Sequence, residues 1–583
     1  MVKEPAMESE LNSRDLVKNG LGIALMLADR GVKHVFGIPD GHTLDFYDGM
    51  RQCGKIEHVL VNDERTAAFA ADAYARVSGT LGVCDAGAPG ALNFPVALAE
   101  AKGSSSPVLA IIGMLRREYV MLNIPHDVNI TDTVRPVTKW AGMAFSSDHV
   151  PRFLEYAIRQ SINGRPGPTA VVIPEDLFGA SDNQLGDFVT SGEGGACSIN
   201  GCRAAPAEHE IDRAVDMIRK AHQPAILVGG GAVAAAAYLE VAALARMLAA
   251  PVFSTITGKG IVVPTDGEDN IYFGTSGLFG ESPNNKFLRK QADLVIVVGS
   301  RLTEDDTANF KYPPDRKDMI QIDIDPGEIG KRYHPWGVAG DAKIALEKIV
   351  AELNQGEVTD TSIVEERQAN LQDLRAEHQK YREKDTARWA DAEPIKPERV
   401  LKAISDTLGE GDYLVTDASA SSRWIGPYFP VKGLGRHIIT PRGVGPTGFG
   451  IGALIGTCIA ADTWEFSRTK TKKVLFTGDG GLMNGGLSDF ETIVKLGLDC
   501  TVVIINNAAL GFVKFGQLAK GIYETERPAT DFARIAESFG GTGFRVEQLG
   551  GLDSAITDAI NHEGFNLVDV VVDPQELLPP SSF

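Results

Sequence analysis

The stretch Thr477-Gly478-Asp479-Gly480-Gly481 sets one carboxylate among glycines, and the pair Asn506-Asn507 follows at about the span of a helical crossover. Glycines let backbone N–H groups approach an anion closely, and Asp and Asn side chains supply the hard oxygen ligands that magnesium prefers. A magnesium-bound diphosphate suits such a set. The residues ahead of each half, Val474-Leu475-Phe476 and Thr501-Val502-Val503-Ile504-Ile505, are apolar and rich in β-branched types. They predict two buried parallel strands joined by a helix. Asp479 and Asn507 then sit at the carboxyl ends of neighbouring strands, where open α/β sheets bind ligands. Taken singly, each half could equally be a tight strand-to-helix turn that uses Gly for its backbone, or a loop cap.

Together, the Gly-Asp-Gly turn, the crossover length and the strand ending in Asn-Asn resemble the cofactor motif of the thiamine-diphosphate (ThDP) superfamily, which includes acetohydroxyacid synthases, pyruvate oxidases and benzaldehyde lyase. The resemblance implies Asp479, Gly480, Gly481 and Asn507 at the diphosphate, with Asp479, Asn507 and the backbone carbonyl at Ala509 as Mg2+ ligands. Asn507 is preferred to Asn506 because the family's ligand is the second of the pair.

A second segment supports the first. Asp63-Glu64-Arg65-Thr66 opens an alanine-rich run ending in Tyr74-Ala75-Arg76 and resembles the family's glutamate segment, in which Glu follows a strand. Alone, Glu64 could be a first-turn carboxylate favoured by the helix dipole. By position it is the family's catalytic glutamate, which binds the cofactor's aminopyrimidine. Asp63 stands where the family commonly has His.

Other assignments rest on the same resemblance. Gly41 and Asn93 lie in turns on the rim that carries Glu64 and are assigned to cofactor binding. So are Ser421, in the turn Ala418-Ser419-Ala420-Ser421-Ser422, and Gly443 and Gly445, in the glycine-rich turn Pro441 to Gly450, where Thr447 replaces a frequent methionine. His42 and His126, whose ordinary titration range lies near neutrality, are assigned as proton shuttles; the alternative is a pair of ordinary loop histidines.

The elements that must position these groups follow from the alternation of short apolar runs with helical patterns. A helix from Ser13 through Arg30 and strands at 32–38, 58–62, 81–85, 107–112 and 169–174 predict a first doubly wound α/β domain. A second begins at Pro224-Ala225-Ile226-Leu227-Val228 before Gly229-Gly230-Gly231, and a third after Pro397. The expected fold is three doubly wound parallel-sheet domains: a pyrimidine-binding domain over 1–190, a linker over 191–208, a central domain over 209–351, a charged connector over 352–396 and a diphosphate-binding domain over 397–583. The central domain carries FAD in some members of the family and is empty in others; spacing leaves FAD open.

Length and composition agree with a globular protein. At 583 residues the chain has room for three to four domains of ~150 residues. A formal charge of −20 argues against a nucleic-acid partner. No apolar run reaches the length of a membrane span, and the polar, acidic opening from Met1 to Leu11 lacks a signal-peptide core. The expectation is a cytoplasmic protein. Cys53, Cys84, Cys197, Cys202, Cys458 and Cys500 are scattered and read as reduced thiols; Cys197 and Cys202 lack the second pair that a zinc site needs.

The activity this resemblance implies is ThDP- and Mg2+-dependent cleavage or formation of a C–C bond beside a carbonyl. The foremost form is 2-oxo acid decarboxylation with carboligation, by a decarboxylase or carboligase of the lyase or transferase class. Alternatives are an FAD-linked oxidase and a non-catalytic regulatory or assembly member. Substrates would be a 2-oxo acid or an acyloin. Because Glu64 and Asp479 fall in different domains, the resemblance implies a homodimer or homotetramer with active sites at the subunit interface. Two departures bear on specificity. Acetohydroxyacid synthases usually read R-F-D-D-R where this chain has Arg301-Leu302-Thr303-Glu304-Asp305, and they carry Trp where Gly516 stands. Loss of a cation and a large ring predicts a roomier pocket, less suited to a second 2-oxo acid.

Overall fold

The computed structural model describes residues 12–189, 202–265, 267–313, 318–355, 361–463, 470–576 and 578. Most of the linker expected at 191–208, with Cys197, lies outside them. The chain forms three six-stranded sheets, one N-terminal, one central and one C-terminal, as the alternating pattern predicts. By packing it groups into two compact units. One comprises Met1–Cys202, Pro441–Leu475 and Gly481–Cys500; the other comprises Arg203–Thr440, Phe476–Gly480 and Thr501–Phe583.

The N-terminal sheet runs Glu57–Leu60, His34–Gly37, Gly82–Gly87, Val108–Met114, Thr169–Pro174, Trp140–Met143, with every pair parallel. The chain starts at His34–Gly37, lays the next strand on one side and the following one on the other. This reversal opens a crevice at the carboxyl ends of His34–Gly37 and Gly82–Gly87. The predicted helix from Ser13 is shorter than expected. Leu16–Val17 pairs instead as a small antiparallel ribbon with Asn183–Gln184, and the helix occupies Asn19–Asp29. Val17, buried as half of that ribbon, mimics one turn of helical periodicity.

Small residues bring the helix that carries Glu64 unusually close to a neighbour. A Cβ on Gly456 of the helix Gly450–Thr463 would lie 2.1 Å from the Ala70 carbonyl oxygen, and one on Gly452 would lie 2.9 Å from that of Thr66. The alanine run of Glu64–Ser78 therefore serves backbone approach.

In the central sheet the order is Tyr272–Thr275, Val252–Ser254, Pro224–Val228, Leu294–Val298, Asp318–Asp323, Trp336–Ala339. At its reversal point Gly231 donates its N–H to the Gly299 carbonyl at 2.9 Å, and a Cβ on Gly229 would meet that same oxygen at 2.3 Å. Close contact between two turns accounts for the glycines here. The C-terminal sheet runs Ile438–Ile439, Tyr413–Thr416, Lys473–Gly478, Cys500–Asn506, Phe565–Val571, Thr542–Val546. Its reversal lies between Tyr413–Thr416 and Lys473–Gly478, beside Asp417 and Asp479.

The charged segment after the central sheet is helical over Thr361–Trp389, and one side of it is docked. Leu371 and Leu374 enter the apolar cluster of Leu227, Phe253, Phe287 and Val297. Arg367 is fully buried, and its guanidinium donates to the carbonyls of Ala221 at 2.7 Å, His222 at 2.8 Å and Leu248 at 3.0 Å. A charge placed to cap three buried carbonyls reads in sequence as a solvated residue. Arg367→Met should cost on the order of 3 kcal/mol, because it strands those acceptors. The urea midpoint at unchanged slope measures this, and an unaltered midpoint would make the helix a mere connector.

Candidate active site

The strand Glu57–Leu60 leads through Asn62 to Asp63, whose carboxylate caps the helix Glu64–Ser78. It accepts the Arg65 N–H at 2.8 Å and pairs with the Arg65 guanidinium at 2.6 Å. The Asp that replaces the family's His is thus engaged in starting the helix. Buried Asp489 holds the same corner, accepting from the Asn62 N–H and the Thr66 hydroxyl, each at 2.7 Å. Glu64 follows the cap, half-buried. Asn93 donates to its Oε2 at 3.0 Å, and a Cβ on Gly90 would stand 2.5 Å from its Oε1. Two residues assigned from sequence, Glu64 and Asn93, therefore meet, and Gly90 clears the space they need. Gly41, by contrast, is exposed with open space around it.

Both histidines come together in this unit. His42 Nε2 lies 3.0 Å from His126 Nδ1, and His42 Nδ1 lies 3.2 Å from Glu175 Oε2. An ionised carboxylate only accepts, so His42 donates from Nδ1 and accepts at Nε2 from His126 Nδ1–H. The terminal lone pair is then His126 Nε2. Glu175 escaped the sequence reading; its signal was its place directly after the buried strand Thr169–Pro174.

Gly443 and Gly445 are placed differently from a simple cofactor cradle. The N–H groups of Gly443, Val444 and Gly445 all donate to the Glu100 carboxylate, at 2.8–3.1 Å. Glu100 is buried beside Arg76, which also pairs with Asp72. Burial alone would raise the Glu100 carboxyl, but Arg76, the Ser104 hydroxyl and the turn's N–H groups hold it below the usual carboxylate range. The turn is wound around an internal anion, and its Thr447 carbonyl accepts from the Asn484 side chain at 2.7 Å.

In the other unit, Thr477 donates to Asp417 Oδ2 at 3.5 Å, tying together the strand ends at the sheet's reversal. Asp479 is buried, and burial pushes its carboxyl up to about 6 despite Arg527 Nε at 3.8 Å. Gly480 packs against Leu510; Gly481 follows it as the first residue of the chain's return to the first unit. Asn506 is consumed by structure, donating to Asp569 at 2.9 Å and to the Thr530 carbonyl at 3.0 Å. Asn507 is half-buried; its Oδ1 accepts the Ala509 N–H at 3.1 Å and keeps a second lone pair. The Ala509 carbonyl accepts from Gly511 at 3.0 Å and likewise keeps one. A carboxylate, an amide oxygen and a carbonyl suit magnesium, and a cation would relieve the buried Asp479 charge. Ser421, buried, gives its hydroxyl to the carbonyls of Ala418 at 2.7 Å and Asp417 at 3.0 Å, which makes it a brace of this turn.

Asp305, singled out where the family places an Arg, is matched by a cation that the sequence reading missed. Arg423, in the helix Ala420–Tyr428, places Nη2 3.3 Å from Asp305 Oδ2. The exchange of charge between two distant segments leaves no local signal. Gly516 has open space where a side chain would go.

Comparison with known proteins agrees with this geometry. Three family models match: the N-terminal TPP binding domain of thiamine pyrophosphate enzymes over residues 19–132, their central domain over 211–349 and their C-terminal TPP binding domain over 417–570. The chain is 30% identical over 580 residues to the probable acetolactate synthase large subunit of Methanocaldococcus jannaschii, covering 97% of this chain and 93% of that protein. It is 29% identical to the acetolactate synthase large subunits of Cyanidium caldarium, over 96% of this chain and 94% of the relative, and of Haemophilus influenzae, over 95% and 94%. No helix among the described residues is long and apolar enough to cross a membrane. With three domain models in sequence order and relatives aligned almost end to end, the chain belongs to the thiamine pyrophosphate enzyme family.

Proposed function

We propose that the protein is a ThDP- and Mg2+-dependent carboligase that decarboxylates a 2-oxo acid and joins the remaining acyl group to a second carbonyl compound. When bound, ThDP supplies a nucleophilic carbon and an electron sink for the pair released as CO2 leaves. Glu64, held by Asn93 and cleared by Gly90, binds the pyrimidine ring nitrogen. Asp479, Asn507 and the Ala509 carbonyl hold the metal that carries the diphosphate. His126, oriented through His42 by Glu175, moves protons to and from the substrate oxygen. Glu64 and Asp479 belong to different units, and we assign each complete site to two subunits of a homodimer or of a dimer within a homotetramer.

The observation that carries this reading over a regulatory or assembly role is the aligned series Glu175, His42, His126. A binding-only protein has no use for an oriented imidazole pair. The test is incubation of the ThDP- and Mg2+-loaded protein with a panel of 2-oxo acids, each with and without an aldehyde or ketone acceptor. CO2, free aldehyde and acyloin are followed separately. At least one donor should release CO2 in step with acyloin. Aldehyde alone would make the protein a plain decarboxylase, and CO2 release accompanied by bleaching of a co-purified yellow flavin would make it an oxidase.

A further inference from the structure

Under the turn that presents His42 lies a carboxylate that the proposed chemistry leaves unused. Asp85, on the strand Gly82–Gly87, is fully buried beside the crevice where that sheet reverses. The Tyr47 hydroxyl donates to its Oδ2 at 2.8 Å. His58 Nε2 lies 2.8 Å from the Tyr47 oxygen and 3.3 Å from Asp85 Oδ1. With its own hydrogen given to Asp85, the phenol oxygen only accepts, so His58 carries a hydrogen on Nε2 and shares it between the two oxygens. Burial raises the Asp85 carboxyl against the pull of His58 and Tyr47. Apolar side chains of the same shape often stabilise a fold as well as such a cluster; what the polar groups add is a fixed direction.

The chain leaves the sheet at Gly37 and returns to it at Tyr47, and Asp85 meets both ends. Gly37 stands opposite Asp85 in the ladder, where a Cβ would lie 2.0 Å from Asp85 Oδ1. Between the two ends, Asp40 accepts the His42 N–H at 2.9 Å. The Asp40 carboxylate rests on Gly87, two residues beyond Asp85, where a Cβ would lie 2.1 Å from its Cγ. The turn is thus registered on one strand at three points. That strand continues to Gly90 and Asn93, which clear and hold the place of Glu64. We propose that Asp85 is a positioning residue of the reaction: through Tyr47 it keeps His42, and with it His126, in register with Glu64. This rests on the functional reading above. A proton-transfer group displaced by ~1 Å can lose 10²-fold in rate. Without the phenol's hydrogen bond the turn keeps Asp40 and loses its far anchor, while Glu64 keeps Asn93 and the corner built by Asp63 and Asp489.

The experiment compares the full-length wild type with Tyr47→Phe, which removes only the hydroxyl, and Asp85→Asn, which keeps an oxygen for that hydroxyl. Thermal melting establishes that each is folded. In the ligand-free protein, diethyl pyrocarbonate labelling is followed by mass spectrometry at His42, with exposed His209 as the internal reference. Tyr47→Phe should react at His42 at least about threefold faster, as a loosened turn opens more often, and Asp85→Asn should stay near the wild type. In the ThDP- and Mg2+-loaded enzyme, Tyr47→Phe should lower kcat for product formation about tenfold and enlarge its solvent deuterium isotope effect. Its ThDP affinity and the donor's KM should stay within about twofold. Wild-type labelling of His42 in folded Tyr47→Phe, or an equal gain in labelling in Asp85→Asn, overturns the proposal. So does a fall in kcat with an unchanged isotope effect and an equal loss of ThDP affinity, which marks a general support of the fold. A wild type that turns over no 2-oxo acid takes down the functional reading alone, and the labelling rates still decide whether Asp85 holds His42.

Discussion

Glu64→Gln is expected to lower turnover by about 10²–10⁴-fold, the range set by losing one acid–base group, while ThDP and Mg2+ still bind. Glutamine keeps the size of the side chain and an oxygen that can accept from Asn93, so the corner built by Asp63, Asp489 and Gly90 is undisturbed. What it loses is a carboxyl able to exchange a proton with the pyrimidine ring. Steady-state CO2 release and a cofactor titration by intrinsic fluorescence separate the two effects. Full activity with normal binding would remove Glu64 from the chemistry and leave it as a first-turn helix residue.

Asp479→Ala should act on binding. A direct metal ligand is worth at least the ~100-fold in affinity that outer partners can carry, so ThDP with Mg2+ should no longer protect the variant from heat. For the wild type, ligand at 100 times its Kd adds about 2.7 kcal/mol, which a thermal shift resolves. The unliganded variant should melt no lower than the unliganded wild type, because Asp479, with its carboxyl raised to about 6 by burial, is a liability until a cation arrives. A wild-type-like shift in the variant would place the metal elsewhere. The same two variants test the division of the site between subunits. A heterodimer of Glu64→Gln and Asp479→Ala chains has one doubly altered site and one intact site if each site draws on two subunits, so mixing two inactive proteins should restore activity. If each chain carried a whole site, mixing would restore nothing.

The parts of the fold that could be read from sequence were the long, β-branched central strands and the turns that follow them. Val108–Met114, Thr169–Pro174, Leu294–Val298 and Cys500–Asn506 are buried along their whole length and stand out as apolar runs. The short edge strands Trp140–Met143, Ile438–Ile439 and Trp336–Ala339 are half-buried and few in residues, so neither period nor length marks them. Among the candidate site residues, Asp479, Asn507 and Glu64 could be singled out in sequence because each follows a clear strand at a turn. Glu175, Arg423 and Glu100 could not. Their partners lie far away in sequence, 133 residues for Glu175 and His42, 118 for Arg423 and Asp305, and 343 for Glu100 and Gly443. A pairing across such gaps is decided by the folded chain and leaves no local pattern. Ser421 and the N–H groups of Gly443 and Gly445 illustrate the reverse case, in which residues recognisable by motif turn out to be engaged in holding their own turns.

The grip of Glu100 on the glycine-rich turn also sets an order of events during synthesis. Glu100 leaves the ribosome with Arg76 and Asp72 already available, but the N–H groups that complete its shell belong to residues 343 positions later. At translation rates of 5–20 residues per second that interval is roughly 20–70 s. Throughout it, an acidic side chain destined for the interior must stay hydrated or lean on Arg76 and the Ser104 hydroxyl. The first unit therefore cannot close until Arg203–Thr440 has been made, and the nascent chain carries an unfinished N-terminal half while its central sheet is free to fold.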